Sequence, residues 1–267
     1  MTMSASQAAT GAVTGAEAAI PDNEVLRLLR VRGTVRSFKP DPVPDNLIEV
    51  VIAAGQRAPT SANMQAYSIV VVREQQTKNI LSALAGGHQP HIAECPVFFA
   101  LCADLTRTDY ACSLHGTQVQ DHTLEKGLVA SIDASLVGMA MTLAADSLNL
   151  GTVMIGAMRN KPLEVAKLLQ LPPKVYVVFG LCMGWPKAPP LPKPRQSMSA
   201  VVHYEKYDAS AREAAIAAYD RELQAYYIQR GLVTPEQAWT EPLSKKLSVA
   251  TRTRLREELN TLGFRLE

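Results

Sequence analysis

Apolar residues recur along this chain in two rhythms, a helical spacing of three and four and short unbroken runs rich in β-branched and aromatic side chains. In Glu24–Val31, Val25, Leu28 and Leu29 fall on one face, with Asp22 or Asn23 as N-cap and Gly33 as the stop. Pro44-Asp45 opens a second such segment, in which Leu47, Ile48, Val51, Ile52 and Gly55 share a face. Four short runs, residues 67–72, 97–102, 152–155 and 175–181, are too continuously apolar to alternate. They are expected as central strands covered on both faces. Helical patterns over 76–84, 124–148 and 162–169 separate them. Alternating strands and helices predict an α/β or α+β sandwich; we take it as α+β, a mixed central sheet flanked by helices.

Within 124–148, Ala130, Ala134, Gly138 and Thr142 repeat every four residues and form a small-side-chain stripe that another helix can approach closely. Charges are sparse around its circumference, so it should be buried, either in its own core or partly by a second subunit. Asp133 and Asp146 and the high alanine content argue against a membrane span. Past Pro194 the pattern turns polar-apolar: helices over 210–230, with Ala215, Tyr219, Leu223, Tyr226 and Tyr227 on one face, and over 242–263. No strand accompanies them. They read as a helical C-terminal arm, about 205–267, on a single domain spanning 21–267. The first twenty residues, Ala-, Ser-, Thr- and Gly-rich without Lys or Arg, are expected as a disordered tail.

The chain has 267 residues, 47% hydrophobic and 19% charged, which suffices for a packed core. A net charge of only +2 argues against nucleic acid or an anionic membrane as partner and leaves a small molecule. Cys95, Cys102, Cys112 and Cys182 show no CxxC spacing, so reduced thiols and a cytoplasmic setting are expected. His88 and His91 lack partners at metal spacing, so no metal is expected. The chain has no Gly-x-Ser-x-Gly elbow, Walker loop or Gly-x-Gly-x-x-Gly turn after a strand.

Two loops carry more chemistry. Arg32-Gly33-Thr34-Val35-Arg36-Ser37-Phe38 offers two guanidinium groups and a hydroxyl, and Ala58-Pro59-Thr60-Ser61-Ala62-Asn63-Met64-Gln65 offers hydroxyls and amides. Far downstream, Lys193-Pro194-Arg195 adds two cations on a proline-rich segment. Guanidinium groups suit a phosphate and amides suit a flavin edge, so flavin mononucleotide (FMN) fits the set. Taken singly, Arg36 reads equally well as a surface ion pair, and Asn63 and Gln65 as a turn with self-satisfied amides. Their joint occurrence favours a ligand.

These loops, with Gly86-Gly87-His88-Gln89-Pro90-His91, Ile155-Gly156-Ala157-Met158-Arg159-Asn160 and Gly180-Leu181-Cys182-Met183-Gly184-Trp185-Pro186, resemble the nitroreductase family. Its NADPH-dependent nitroreductase and flavin reductase branch is the nearest group, over about Val25 to Trp239. The resemblance implies a nitroreductase-like FMN homodimer with the flavin at the subunit interface. It assigns Arg32, Arg36, Lys193 and Arg195 to the FMN phosphate and Thr34 to the pyrimidine end or ribityl chain. Ser61, Asn63, Met64, Gln65 and Gln89 then surround the ring, while Met154, Ile155 and Gly156 lie near its N5 side. It assigns Arg230 to the 2′-phosphate of NADPH, the expected reductant in preference to NADH. The family commonly has His-Arg-Ser where this chain has Arg32-Gly33-Thr34, so Gly33 keeps only its backbone N–H for the cofactor. The implied activity is two-electron, ping-pong reduction of nitroaromatics, quinones or related acceptors, without a catalytic side chain, since FMN N5 carries the chemistry. Two other readings stay open: a reductase that supplies reduced FMN to a partner, and a non-catalytic flavin- or ligand-binding protein.

Overall fold

The computed structural model describes residues 22–265; the expected tail lies outside the described residues. Asn23 rather than Asp22 caps helix α1 (Glu24–Val31), its Oδ1 accepting the Leu26 N–H at 3.0 Å. Helix α2 (Asp45–Gly55) and a 3-10 turn at Ser61–Asn63 precede strand β1 (Tyr67–Val72). Then come α3 (Gln75–Leu84), α4 (His91–Glu94), β2 (Val97–Asp104), α5 (Thr106–Ser113) and the long α6 (Leu124–Ser147). Strand β3 (Gly151–Ile155), α7 (Pro162–Leu168) and β4 (Val175–Gly184) complete the sheet layer, and α8 (Met198–Val201), α9 (Arg212–Ile228), α10 (Thr240–Leu247) and α11 (Leu255–Thr261) follow.

The strands form one sheet in the order β1-β2-β4-β3, and its three pairings are all antiparallel. The fold is α+β as expected, but the sheet is not mixed; an apolar run reports burial and carries no strand direction. Strands β2 and β4 are buried at every residue. Phe99 and Leu101 face a core shared with α2 and α6, while Phe98, Ala100 and Cys102 face a second core with α3, α4 and α7. Strands β1 and β3 are edges, contrary to the expectation of four central strands, and Val71 and Met154 reach solvent.

Helix α6 organises the first core. A Cβ on Gly138 would lie 2.5 Å from Phe179 Cζ, so a strand side chain fills that part of the stripe. Helix α2 makes its own close approach through Gly55, where a Cβ would lie 2.6 Å from Met141 Cγ. The opposite face exposes Leu124, Leu128, Ile132 and Leu136, one per helical turn. By length and composition α6 is apolar enough to cross a membrane, against the sequence expectation, and its inner face packs on the sheet and α2.

The helix expected over 242–263 is two, α10 and α11, with Arg252 left-handed (φ 53°) in the break. Asp220 of α9 secures the start of α10, accepting the Trp239 N–H at 2.7 Å and the Thr240 N–H at 3.0 Å. Beyond α11 the chain returns to the first core: Phe264 meets Tyr176 edge-on at 4.7 Å, and Leu262 C=O accepts the Lys174 N–H at 2.7 Å.

Candidate functional site

Edge strand β3 leaves main-chain groups to satisfy, and the loop after α1 satisfies one of them. Val35 N–H donates to Thr152 C=O at 2.9 Å, and further on Lys39 N–H donates to Trp185 C=O at 2.8 Å. Close packing at Gly151, where a Cβ would lie 2.5 Å from Val35 Cγ2, lets the loop lie flat on the strand. The result is a cavity of about 190 Å³ lined by Arg32, Thr34, Arg36, Met139, Thr142, Thr152, Val153 and Met154. Four expected residues, Arg32, Thr34, Arg36 and Met154, thus meet at one place. Thr142 and Thr152 also line it and were not singled out by sequence, because nothing in a helix stripe or a strand run marks a residue as cavity-lining.

The two arginines differ. Arg32 Nε donates to Asp146 Oδ2 at 3.1 Å. Burial pushes the Asp146 carboxyl above its usual range, outweighing the hydrogen bond and charge of Arg32, which pull it down. The pair's clear effect is to hold Arg32 in place beside the carboxylate. Arg36 forms no hydrogen bond or ion pair among the described residues. It lies close enough to the buried His91 to help lower that imidazole's pKa, behind burial as the main cause and against an opposing pull from Glu94. His91 Nε2 is buried without a partner.

Gly33 is explained by the proline-rich segment that crosses it. A Cβ there would lie 3.0 Å from Pro190 Cβ and 3.1 Å from Leu191 O, so a side chain would need the crossing segment to yield by a few tenths of an ångström. The crossing brings the segment carrying Lys193 and Arg195 over the first loop, yet both side chains engage other groups. Lys193 Nζ donates to Tyr227 OH at 2.7 Å, and Arg195 Nη1 donates to Lys193 C=O at 3.1 Å. Arg230 stacks on Tyr226, its Cζ 3.5 Å from the ring centroid, and its Nε is buried without a partner.

The second loop is built differently. Ala62, Asn63 and Gln65 have φ of 47°, 56° and 51°, left-handed conformations that L-residues resist. Asp133 of α6, 1% exposed, holds the loop in this shape. Its Oδ1 accepts the Ser61 N–H at 3.0 Å and its Oδ2 the Ala66 N–H at 3.1 Å. Gln65 Nε2 donates to Asn63 Oδ1 at 3.3 Å, the self-satisfied arrangement that the plainer reading anticipated. Met64 packs against the first core. Asp133 and Thr142 are nine residues apart on one helix, roughly 13 Å along its axis. Within the chain, then, the Ser61–Gln65 loop and the arginine cavity attach to α6 at separate places. Gln89 C=O accepts the Ile92 N–H at 3.1 Å beside left-handed Gly86 and Gly87. Ile155 is buried, and Gly156 opens a 3-10 turn, Gly156–Asn160, beneath Arg159.

An antiparallel sheet in two helical layers, with guanidinium and hydroxyl groups around a cavity on its edge, defines an α+β protein suited to an anionic small molecule. Residues 29–185 match the Nitroreductase family model and residues 193–267 match the model of that family's C-terminal domain. The chain belongs to the nitroreductase family. It is 35% identical over 248 residues to a Bacillus subtilis protein named FMN reductase (NAD(P)H), covering 92% of this chain and 99% of that one. It is 34% identical over 239 residues to the oxygen-insensitive NADPH nitroreductase of Salmonella typhimurium, covering 90% and 97%. Among solved structures, the NADPH:FMN oxidoreductase of Vibrio harveyi complexed with NAD+ superposes with a TM-score of 0.83 at 30% identity, covering 92% of this chain and 100% of that one.

Proposed function

We propose that this protein is an FMN-dependent NAD(P)H oxidoreductase that reduces nitroaromatics, quinones or related acceptors by two electrons. The observation carrying this is the cavity lined by Arg32, Thr34 and Arg36, in which one guanidinium forms no hydrogen bond or ion pair among the described residues. Such a donor set fits a phosphate monoester. Bound FMN would supply two-electron redox chemistry between a nicotinamide and an acceptor.

The chain's own contribution is binding and orientation. Arg36 would neutralise the phosphate, with Arg32 held beside it by Asp146. Lys193 and Arg195 would reach the same phosphate by leaving their present partners on the crossing segment. Met154, Ile155 and Gly156 would flank the ring with Gln89. The Ser61–Gln65 loop would complete the site from the partner protomer of a homodimer, a reading supported by the loop's separate anchorage on α6. The apolar ridge of Leu124, Leu128, Ile132 and Leu136 and the exposed Val25 and Leu29 of α1 give such a dimer a surface to bury. Arg230, pre-ordered on Tyr226, would receive the 2′-phosphate of NADPH. The arm after residue 205 belongs to the same domain in this reading, and the setting is cytoplasmic.

Two relatives are named FMN reductases, which favours flavin reduction as a second role; reduced FMN would then be supplied to a partner. An absorption spectrum of the purified protein, then anaerobic NADPH addition, tests the main reading. A yellow protein that bleaches is expected, and a protein that stays colourless after FMN is added would overturn it. Turnover on free FMN against a nitroaromatic separates the two roles.

A further inference from the structure

Helix α5 begins where β2 ends, and its first turn is fixed to that strand. Asp104 Oδ1 accepts the Thr106 N–H at 2.8 Å and the Thr106 hydroxyl at 2.6 Å, while the Asp104 N–H donates to Ala66 C=O at 3.0 Å. Arg107 leaves this fixed turn and reaches back to the end of the Ser61–Gln65 loop. Its Nη2 donates to Gln65 C=O at 2.9 Å and to Tyr67 C=O, and its Nη1 donates to Ser68 Oγ at 3.0 Å. The ion pair with Asp104 Oδ2 is longer, at 3.4 Å, and the Arg107 side chain is 54% exposed. Such a pair adds little, so the forked guanidinium is matched to the main-chain carbonyl groups rather than to the charge.

This arrangement complements Asp133. From α6 that carboxylate takes the Ser61 and Ala66 N–H groups, and from α5 Arg107 takes the C=O of the loop's last residue. Gln65 C=O also accepts the Tyr67 N–H at 2.8 Å, so both of its lone pairs are engaged. With φ of 51°, Gln65 holds a conformation that L-residues resist, and the course of its side chain follows from that backbone setting.

We infer that Arg107 is a positioning residue of the flavin site: by holding Gln65 C=O it sets the Gln65 backbone, and with it the amide that meets the flavin ring. The inference rests on the FMN reading and adds to it a residue that acts through Gln65 from a separate helix.

Full-length protein stripped of flavin is titrated at one protein concentration with FMN and with riboflavin, which lacks the phosphate, following flavin fluorescence. For Arg107→Ala both dissociation constants are expected to rise about three- to tenfold, the range for one hydrogen bond at the ring. In a Gln65→Ala background, Arg107→Ala should add no further loss, because the contact it serves is already gone. Water can take the place of the guanidinium at this half-exposed site, so the variant is expected to fold. Should it not fold, Arg107→Lys, which keeps the charge but not the fork, carries the same comparison of the two backgrounds. Arg107→Ala constants within twofold of the parent overturn the inference, as does a loss for FMN alone. An equal loss in the Gln65→Ala background also overturns it, since a general structural role would give that result. Parent protein that binds neither flavin overturns the FMN reading and the inference with it, whereas a parent that binds both leaves that reading standing whatever the variants do.

Discussion

Replacing Asp133 by asparagine isolates the carboxylate that holds the Ser61–Gln65 loop. The two side chains have nearly the same size, so no cavity forms, but asparagine has one acceptor oxygen where the loop presents two N–H donors, at 3.0 and 3.1 Å. Its amide NH2 must face one of those donors. One charge-assisted bond is lost and one N–H is left unsatisfied, at a cost of about 2–3 kcal/mol. The loop adds a local consequence, because Ala62, Asn63 and Gln65 sit in left-handed conformations held by that clamp, those of Ala62 and Gln65 costing about 1–2 kcal/mol each. Urea unfolding at fixed protein concentration should show the lost stability, and amide hydrogen exchange should accelerate at Ser61 and Ala66 first. A variant within 0.5 kcal/mol of the parent, roughly the spread of ordinary surface substitutions, with unchanged exchange at both amides would refute the clamp.

Ile132→Glu places a charge in the exposed ridge of α6, where Ile132 is 55% exposed; sedimentation should show the parent as the proposed dimer and the variant as monomer with the helical signal retained, and a parent that sediments as monomer or an undisturbed variant dimer refutes a dimer built on this ridge. Arg230→Ala should raise KM for NADPH several-fold more than KM for NADH, and equal changes would cancel the 2′-phosphate role. For His91, burial and the nearby Arg36 depress the pKa below the ordinary value. The unfolded chain then takes up a proton first, so this contribution to stability is present above about pH 6.5 and is lost on acidification. A His91→Gln variant should lose less stability than the parent between pH 7.5 and 5.5; a parent that gains on acidification relative to the variant contradicts the sign.

Periodicity located α2, α6 and α9 to within a few residues because each buries an apolar face against the rest of the chain; α1 was legible from the same spacing and its Asn23 cap although it buries none of its residues. Strand existence was equally legible, but pairing was not: the antiparallel order β1-β2-β4-β3 depends on contacts between distant segments, and an edge strand such as Gly151–Ile155 is as apolar as a central one. The break between α10 and α11 was hidden because Arg252 adopts a left-handed conformation that composition does not announce. At the site, residue chemistry led to Arg32, Thr34 and Arg36 and the family resemblance to Met154, and these four line one cavity. Asp133 was invisible as a functional residue because its partners are main-chain N–H groups 72 and 67 positions away. The Arg32 and Asp146 pair spans 114 positions and was hidden for the same reason.

The crossing of Pro190 and Leu191 over Gly33 limits how this enzyme can be re-engineered. A designer placing an arginine at position 33, as the His-Arg-Ser pattern would, brings its Cβ to 3.0 Å from Pro190 Cβ and 3.1 Å from Leu191 O, so the crossing segment has to yield. Chimeras should therefore exchange residues 32–38 and 186–195 as a pair, since either segment moved alone inherits a neighbour shaped for something smaller.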